Sequence, residues 1–160
     1  MNTVILMWNP SISSYKVEQF EEELAAFGSL DMWYNWSVYD WQNSHEGDRF
    51  YLVRVGQGNT GIVMSGYFSS DPYIMDDWSG RNRIVYYQDM EPDVIINSDK
   101  VPTLTTAELM ANLPGFDWTG GHSGRLLDNE LANKLEDLWE TFINEHKEIF
   151  QTEHAKTDLF

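Results

Sequence analysis

The chain has 160 residues, a formal net charge of −16 and no cysteine. This length suits one domain with a sizeable core, and the lack of cysteine excludes a disulfide framework and thiolate metal sites. The acidic charge argues against a protein that coats DNA or RNA, because it repels phosphate backbones. No apolar run is long enough to span a membrane, so we expect a cytoplasmic protein without a membrane partner.

The first part of the chain predicts a strand, a helix and a second strand. Residues 3–8 form a near-continuous apolar run, which is typical of a buried strand. Over residues 17–27, apolar side chains recur at three-four spacing with glutamates between them, which predicts an amphipathic helix. Ser13 or Ser14 is expected to cap this helix. Residues 32–38 then predict a second strand, with its side chains alternating between two faces.

The stretch at residues 47–90 predicts the centre of a sheet. Its β-branched and aromatic residues at 50–55 and 61–69 predict two strands joined by a glycine-rich turn. A third strand at 83–87 follows a loop rich in aromatic and acidic residues. Since short connections join these strands, we expect an antiparallel meander. Pro92 is expected to end the third strand, because proline has no N–H for the ladder.

The last third of the chain predicts a short helix, a glycine-rich loop and a long helix. Thr105 and Glu108 match a capping box at the start of the short helix. Residues 116–124 form the glycine-rich loop, and Asp128 is expected to cap the long helix, whose apolar residues recur at three-four spacing. We expect residues 151–160 to be a frayed polar tail.

These elements predict an α+β fold, in which a small curled antiparallel sheet or barrel is flanked by two long helices and one short helix. Residues 1–150 are expected to form a single domain, since no linker divides them. Charge is uneven along the chain: residues 1–46 carry one lysine and seven acids, and residues 126–160 carry three lysines and nine acids. Residues 47–125 are the least acidic part, so we expect any nucleic acid to approach there.

Candidate catalytic and metal-binding residues are few. The four histidines lack the spacing of metal ligands, and we expect neither a metal nor another cofactor. His122 and Ser123 are neighbours, an arrangement that rarely aligns a base with a nucleophile. Asp76 and Asp77 are candidates for a general acid and base, although adjacent carboxylates in such a loop are more often solvated. We therefore expect a non-enzymatic protein, with a small hydrolase that uses Asp77 or His122 as an alternative.

Seven tryptophans in 160 residues suggest a second kind of site. Trp78 and Trp118 lie in loops rich in glycine, serine and aspartate, and loops run mostly on surfaces. Trp33 and Trp36 cannot both face inward on one regular strand. Two or three aromatic walls with a nearby carboxylate and hydroxyl would form a stacking pocket for a planar ring or a methylated group. The alternative is that these tryptophans only fill the ends of a barrel.

Several short motifs follow one another in the first half of the chain. They are NWSV at 35–38, GDRFYLVRVG at 47–56, GIVMSGYFSSDPY at 61–73 and WSGR at 78–81. In this order they resemble the EVE-type domains of the PUA-like superfamily, which are related to YTH domains. The resemblance covers residues 33–90 well and the later part of the chain more loosely. It implies a small β-barrel that reads a modified base in nucleic acid through an aromatic cage.

The resemblance also implies which residues form the walls of that cage. Trp36 would be the first wall, with Ser37 as its polar neighbour, and Trp78 would be the second wall. Trp118 is a third candidate wall on the separate ground that it lies in a polar, glycine-rich loop; this later loop fits such domains more loosely. The predicted ligand is therefore a modified base, held by stacking between rings.

Polar contacts are implied in the same way. Asp76 or Asp77, together with Ser123, would hydrogen-bond the edge of the base. Arg81 and Arg83 would contact phosphate, since both lie in the least acidic part of the chain. The expected partner is a modified nucleic acid or nucleotide. The alternative is a domain that binds a basic protein, or mimics nucleic acid, through its acidic helices.

Overall fold

The computed structural model describes residues 1–29, 34–76, 80–81 and 83–160. Within these residues the fold is α+β: a strongly curled mixed sheet forms a half-barrel, and three α-helices pack around it. The strands are β1 (Thr3–Trp8), β2 (Tyr34–Ser37), β3 (Arg49–Arg54), β4 (Gly61–Phe68), β5 (Tyr73–Met75), β6 (Val85–Ile96), β7 (Arg125–Leu127) and β8 (Ala155–Thr157). The helices are α1 (Val17–Ala25), α2 (Thr106–Asn112) and α3 (Asn129–Glu145).

The sheet is mixed, whereas the sequence predicts an antiparallel one. Its strand order is β2-β6-β4-β3-β1-β7, and β5 and β8 each pair with β6. The antiparallel pairing of β3 with β4 confirms the first pair of the predicted meander. β4 also pairs antiparallel with β6, but along residues 90–95, beyond the predicted third strand at 83–87. Residues 85–87 of that predicted strand pair with β5 and the end of β2 instead. β1 differs, because it runs parallel to β3. The chain crosses from β1 to β3 through α1 and β2, and a connection of this length permits parallel pairing.

β6 runs without a break through Pro92, so the predicted end of the strand at this proline is wrong. Gly66 of β4 lies opposite Pro92, and the register shifts between Ser65 and Gly66. A bulge of this kind accommodates a residue that has no N–H to donate. A Cβ on Gly66 would lie 2.2 Å from the carbonyl oxygen of Glu91. The close approach of the two strands therefore requires glycine at this position.

Alternate residues of the central strands face two hydrophobic cores. In β3, Tyr51 and Val53 pack with α2 and α3 on one face, whereas Phe50 and Leu52 pack with α1 on the other. This separation follows from the two-residue period of a strand. The buried apolar residues of the helices follow the predicted three-four spacing; they are Phe20 and Leu24 in α1, and Leu135, Trp139, Phe142 and Ile143 in α3.

The ends of the helices match the predicted caps in part. The capping box at Thr105 is present at the start of α2, and the Asp128 side chain caps α3. α1 begins after Lys16, which takes the N-cap position in place of Ser13 or Ser14.

In the part of the chain that the structure describes, no helix is long and apolar enough to cross a lipid bilayer.

The C-terminal segment corrects the expectation of a frayed tail. Residues 155–157 form β8, which pairs antiparallel with the end of β6. Ile149 and Ala155 are buried in the core that also contains α3. Backbone hydrogen bonds place this short polar strand in the sheet, and such a segment has too few apolar residues for a periodic pattern.

A buried charge network joins β3, β6 and α3. The guanidinium of Arg49, whose side chain is 4% exposed, contacts Asp93 at 2.8 Å through Nη1 and Glu136 at 2.7 Å through Nε. Asp93 also accepts a hydrogen bond from the Ser65 hydroxyl, which in turn accepts one from the Trp139 indole at 3.0 Å. Every charge in the network has a partner, which is the condition for keeping charges inside a protein.

Candidate binding pocket

A cavity of about 850 Å³ opens where the curl of the sheet brings β2 close to the end of β1. These two strands are not paired neighbours in the sheet. Even so, the Trp36 indole donates a hydrogen bond to the Met7 carbonyl at 3.3 Å. The N–H groups of residues 39–40 also donate to the carbonyls of residues 123–124, in the loop before β7. We call this set of contacts the seam.

Segments that are distant in the sequence line the cavity. They include the end of β1, residues 12–15, one side of α1, β2, the end of β5 and the loop at residues 119–123. Small-molecule sites in proteins usually measure about 300–1,000 Å³, and the cavity falls within that range. Tertiary packing brings together the end of β1, β2 and the loop at residues 119–123. The cavity is therefore a product of the curled sheet rather than of one loop.

Aromatic side chains form much of the cavity wall. Tyr15, Tyr34, Trp36 and Tyr87 all line it. Tyr15 meets Trp36 edge to face, with ring centroids 5.6 Å apart, and Tyr34 is only 5% exposed. The indole of Trp36 is half-buried and held by its hydrogen bond to the seam. A ring fixed in this way is a preorganised surface for a planar ligand.

Hydroxyl groups and a carboxylate meet in this wall. The Tyr15 hydroxyl is buried and has no hydrogen-bond partner among the described residues. Burial, and then the nearby Glu23 carboxylate, raise the pKa of Tyr15. Burial also raises the pKa of Glu23, an effect that the Tyr34 hydroxyl reduces and the neighbouring Glu22 increases. Buried polar groups normally have partners, and the Tyr15 hydroxyl is an exception within this wall.

The described lining of the cavity is acidic. Glu22, Glu23 and Asp76 contribute carboxylates, and no Lys, Arg or His of the described residues is among the lining side chains. Within the described ranges, no cluster of three or more histidines and carboxylates is placed to hold a metal ion. The cavity therefore offers hydrogen-bond acceptors, hydroxyl groups and aromatic surface.

Four residues predicted from the sequence lie together along this cavity. Trp36 and Ser37 come from β2, Asp76 follows β5, and Ser123 belongs to the loop before β7. The Ser123 hydroxyl accepts a hydrogen bond from the Met7 N–H at 2.9 Å, which places this serine at the seam. The structure thus brings the four side chains to one place, and their contact with a base stays a prediction.

The other predicted site residues do not line the cavity or lie outside the described residues. Trp118 is completely buried in the core, where its indole donates to a backbone carbonyl at 3.0 Å, so we leave it out of the pocket. Arg81 and Arg83 are exposed and are not among the lining residues. Asp77 and Trp78 lie outside the described residues, and their roles stay predictions.

The neighbouring side chains of His122 and Ser123 have different partners. The His122 ring stacks in parallel on Tyr39, with centroids 4.0 Å apart. The Ser123 hydroxyl instead accepts the hydrogen bond from Met7. These contacts direct the two side chains to separate groups, so they give no support to a nucleophile–base pair at this position.

Among the lining residues that the sequence prediction does not include are Tyr15, Glu23 and Tyr34. The sequence pattern assigns Glu23 to the solvated face of α1, because it stands in a run of glutamates. Tyr15 precedes the helix, where no periodic pattern applies. Tyr34 does carry a usable signal, since it lies two residues before Trp36 and therefore on the same face of β2.

Gly124 holds the loop that carries Ser123. Its φ is +90°, and a Cβ at this position would lie 2.4 Å from the Cα of Val38. Gly124→Ala is therefore expected to lower the free energy of unfolding by about 2–3 kcal/mol, since backbone strain and overpacking act together. Urea unfolding measures the change. Gly120→Ala is the control, because its Cβ would meet nothing within 4 Å; equal stability of the two variants would contradict this account.

Comparison with known proteins shows which solved structures share this fold, and it does not assign the chain to a family. No protein-family model and no curated protein sequence matches the chain. The crystal structure of protein PSPTO5229 from Pseudomonas syringae matches with a TM-score of 0.51 and 13% identity, over 85% of this chain and 98% of that one. The NMR structure of Rpa0253 from Rhodopseudomonas palustris matches with a TM-score of 0.40 and 16% identity, over 98% of this chain and 84% of that one. The similarity to PSPTO5229 shows the fold alone.

Proposed function

We propose that this chain is a non-enzymatic binding module whose cavity takes a modified base of DNA, RNA or a nucleotide. It would be an EVE-type domain of the PUA-like superfamily, a fold with which the curled half-barrel is compatible. The observation that carries the proposal is the meeting of four predicted site residues, from distant segments, along one cavity with an aromatic wall.

The chemistry of the cavity suits a planar ring. Stacking of a base on an aromatic side chain contributes about 1–3 kcal/mol and tolerates any base. Trp36 supplies such a ring, and its hydrogen bond to Met7 holds the ring in place. The hydroxyls of Ser37 and Ser123 and the carboxylate of Asp76 are groups that can hydrogen-bond a base edge.

Phosphate contacts would lie outside the cavity. Arg81 and Arg83 are exposed in the segment between β5 and β6, and the end of β5 lines the cavity. We therefore retain these two arginines as the proposed phosphate contacts. Because the chain as a whole is strongly acidic, its affinity for unmodified nucleic acid should be weak and should depend on salt.

Replacement of Trp36 tests the proposal. Trp36→Ala is expected to weaken binding of a modified nucleoside about 10- to 100-fold, since it removes the stacking surface. Calorimetric titration against a panel of modified nucleosides and short oligonucleotides, at low salt, measures the affinity. Trp41→Ala is the matched control, because that indole stacks on Tyr86 and does not line the cavity. Trp78→Ala, in the same series, tests the predicted second wall.

The outcomes of this titration are distinct. Loss of affinity in Trp36→Ala but not in Trp41→Ala, with circular dichroism showing that both variants are folded, supports the pocket. Equal affinity of wild type and Trp36→Ala contradicts it. The proposal is also contradicted if the wild-type protein binds no modified nucleoside or oligonucleotide in the panel.

A second candidate function is binding of a basic protein through α1. Glu18, Glu21 and Glu22 on this helix are exposed, and the net charge of −16 would attract such a partner. Contacts between exposed charges weaken as salt rises, whereas stacking inside a cavity depends on salt much less. Pull-down from a lysate at two salt concentrations therefore separates the two functions.

A further inference from the structure

We propose that the base taken by this cavity is positively charged, as a base methylated on a ring nitrogen is; 1-methyladenine and 3-methylcytosine are examples. The inference rests on the proposed function and names the ligand class of the same cavity. Its first support is the charge of the lining: Glu22, Glu23 and Asp76 contribute carboxylates, and the described lining contains no basic side chain. Glu23 is half-buried, whereas Glu22 and Asp76 are exposed. Carboxylates attract a cation and repel an anion, most strongly where water is partly excluded.

The aromatic wall favours a cation as well. A positive charge near the face of a tryptophan or tyrosine is attracted by the ring quadrupole. Trp36 and Tyr34 lie in the same cavity as the Glu23 carboxylate. A stacked cationic ring would therefore gain from the aromatic wall and from the carboxylate together. A neutral methylated base would gain from stacking only.

One group in the wall lacks what a cationic base would supply. Burial raises the pKa of Glu23, the Tyr34 hydroxyl reduces this effect and the neighbouring Glu22 adds to it, so the ionised form of Glu23 is short of compensating positive charge. Glu23 lines the cavity beside Tyr34 and Trp36. A ligand that brings a positive charge into the cavity would supply the missing compensation.

Methylation of a ring nitrogen also changes hydrogen bonding in a direction that suits carboxylates. The methyl group blocks an acceptor nitrogen, and the positive charge makes the exocyclic N–H group a stronger donor. Ionised carboxylates only accept hydrogen bonds, and a bond between charged partners is roughly twice as strong as one between neutral partners. In the neutral base, the lone pair of the ring nitrogen would instead face acceptors.

Pairs of isomeric nucleosides test the inference. 1-Methyladenosine and N6-methyladenosine are isomers as neutral molecules, but only the first takes up a proton and is a cation at neutral pH; 3-methylcytidine and N4-methylcytidine form a second such pair. Titration of the wild-type chain with all four, at neutral pH, should show the cationic isomer binding at least about tenfold more tightly in one pair or both.

A matched pair of variants assigns the preference to the cavity. Glu23→Gln keeps the size of the side chain and removes its charge, so it should weaken binding of the cationic isomer about five- to tenfold and binding of the neutral isomer clearly less. Glu21→Gln, on the same helix but exposed and outside the lining, should change neither. An equal effect of the two variants would contradict a role for Glu23.

Failure of this inference differs from failure of the proposed function. If the neutral isomers bind as tightly as the cationic ones, and Trp36→Ala abolishes that binding, the charge preference is overturned and the base-binding function stands. If tetramethylammonium binds as tightly as the cationic nucleosides, the cavity takes ammonium groups in general and the inference of a base is overturned. If no modified nucleoside or oligonucleotide binds, the proposed function itself fails.

Discussion

Arg49→Ala is expected to lower the free energy of unfolding by about 3–5 kcal/mol, because it breaks a buried ion pair and leaves a partner charge behind. The guanidinium is 4% exposed and contacts two carboxylates, those of Asp93 and Glu136. Asp93 is itself mostly buried, at 11% side-chain exposure. After the substitution, the partner that its side chain would retain among the described residues is the Ser65 hydroxyl, which cannot replace a positive charge.

Urea unfolding followed by circular dichroism measures this loss. Lys134→Ala is the control: its ion pair with Glu130 spans 3.5 Å between side chains that are 58% and 79% exposed. Exposed helix pairs contribute about 0.3–0.5 kcal/mol, so this variant should stay close to wild type. Adding Asp93→Asn to Arg49→Ala should recover part of the stability, since a neutral amide needs no counter-charge. A loss below about 1 kcal/mol in Arg49→Ala alone would contradict the account.

Trp118→Ala is expected to lower the free energy of unfolding about as much as Arg49→Ala does, and to leave the affinity for ligand unchanged. The side chain is completely buried, packs against Phe116 with ring centroids 4.7 Å apart, and donates its indole N–H to the Leu113 carbonyl. Removal of a buried tryptophan leaves a cavity and lowers the free energy of unfolding by about 3–5 kcal/mol. Because Trp118 does not line the pocket, the affinity of the protein that remains folded should equal that of wild type.

Trp36→Ala should give the opposite pattern, with a large loss of affinity and a smaller loss of stability. Urea unfolding and calorimetric titration of Trp118→Ala and Trp36→Ala, at a temperature where both are folded, compare the two. Trp118→Phe keeps most of the buried ring and should recover much of the lost stability. A stable Trp118→Ala variant that no longer binds ligand would overturn the buried position and restore Trp118 as a pocket wall.

Local patterns predict much of this fold. The apolar spacing on α3 and the capping side chain of Asp128 show where the helix begins and which face is buried. The capping box at Thr105 does the same for α2. β3 and β4 are likewise recognisable from β-branched and aromatic residues. In each case the signal lies within about a dozen residues of the element that it specifies.

Features that depend on distant partners were not predictable in this way. β6 continues through Pro92 because Gly66, on another strand, admits the bulge. β8 exists because β6 offers it a free edge. Trp118 stands among glycine, threonine and aspartate, a composition typical of surface loops, yet its ring is buried in the core. Whether a loop turns inward is decided by the space that the rest of the chain leaves.

Some residues of the candidate pocket were predictable from the sequence and others were not, for the same reason. Trp36, Ser37 and Asp76 follow from motifs that resemble a known family, and the structure places all three along one cavity. Glu23 and Tyr15 were not predictable from the sequence. A run of glutamates on a helix looks uniformly solvated until the neighbouring strand is in place, and Tyr15 precedes the helix, where no periodic pattern applies. The acidic character of the cavity therefore emerges only from the tertiary fold.

The seam has a consequence for how such a fold can diversify. The cavity adjoins contacts between an indole, a few backbone groups and a loop. Residues 34–37 pair with β6 through their backbone groups, and residues 119–123 belong to no strand. Side chains at these positions can therefore change while the backbone ladder is kept. Proteins with this same sheet would be free to acquire unrelated ligands through a handful of substitutions, so shared architecture is a poor guide to shared specificity.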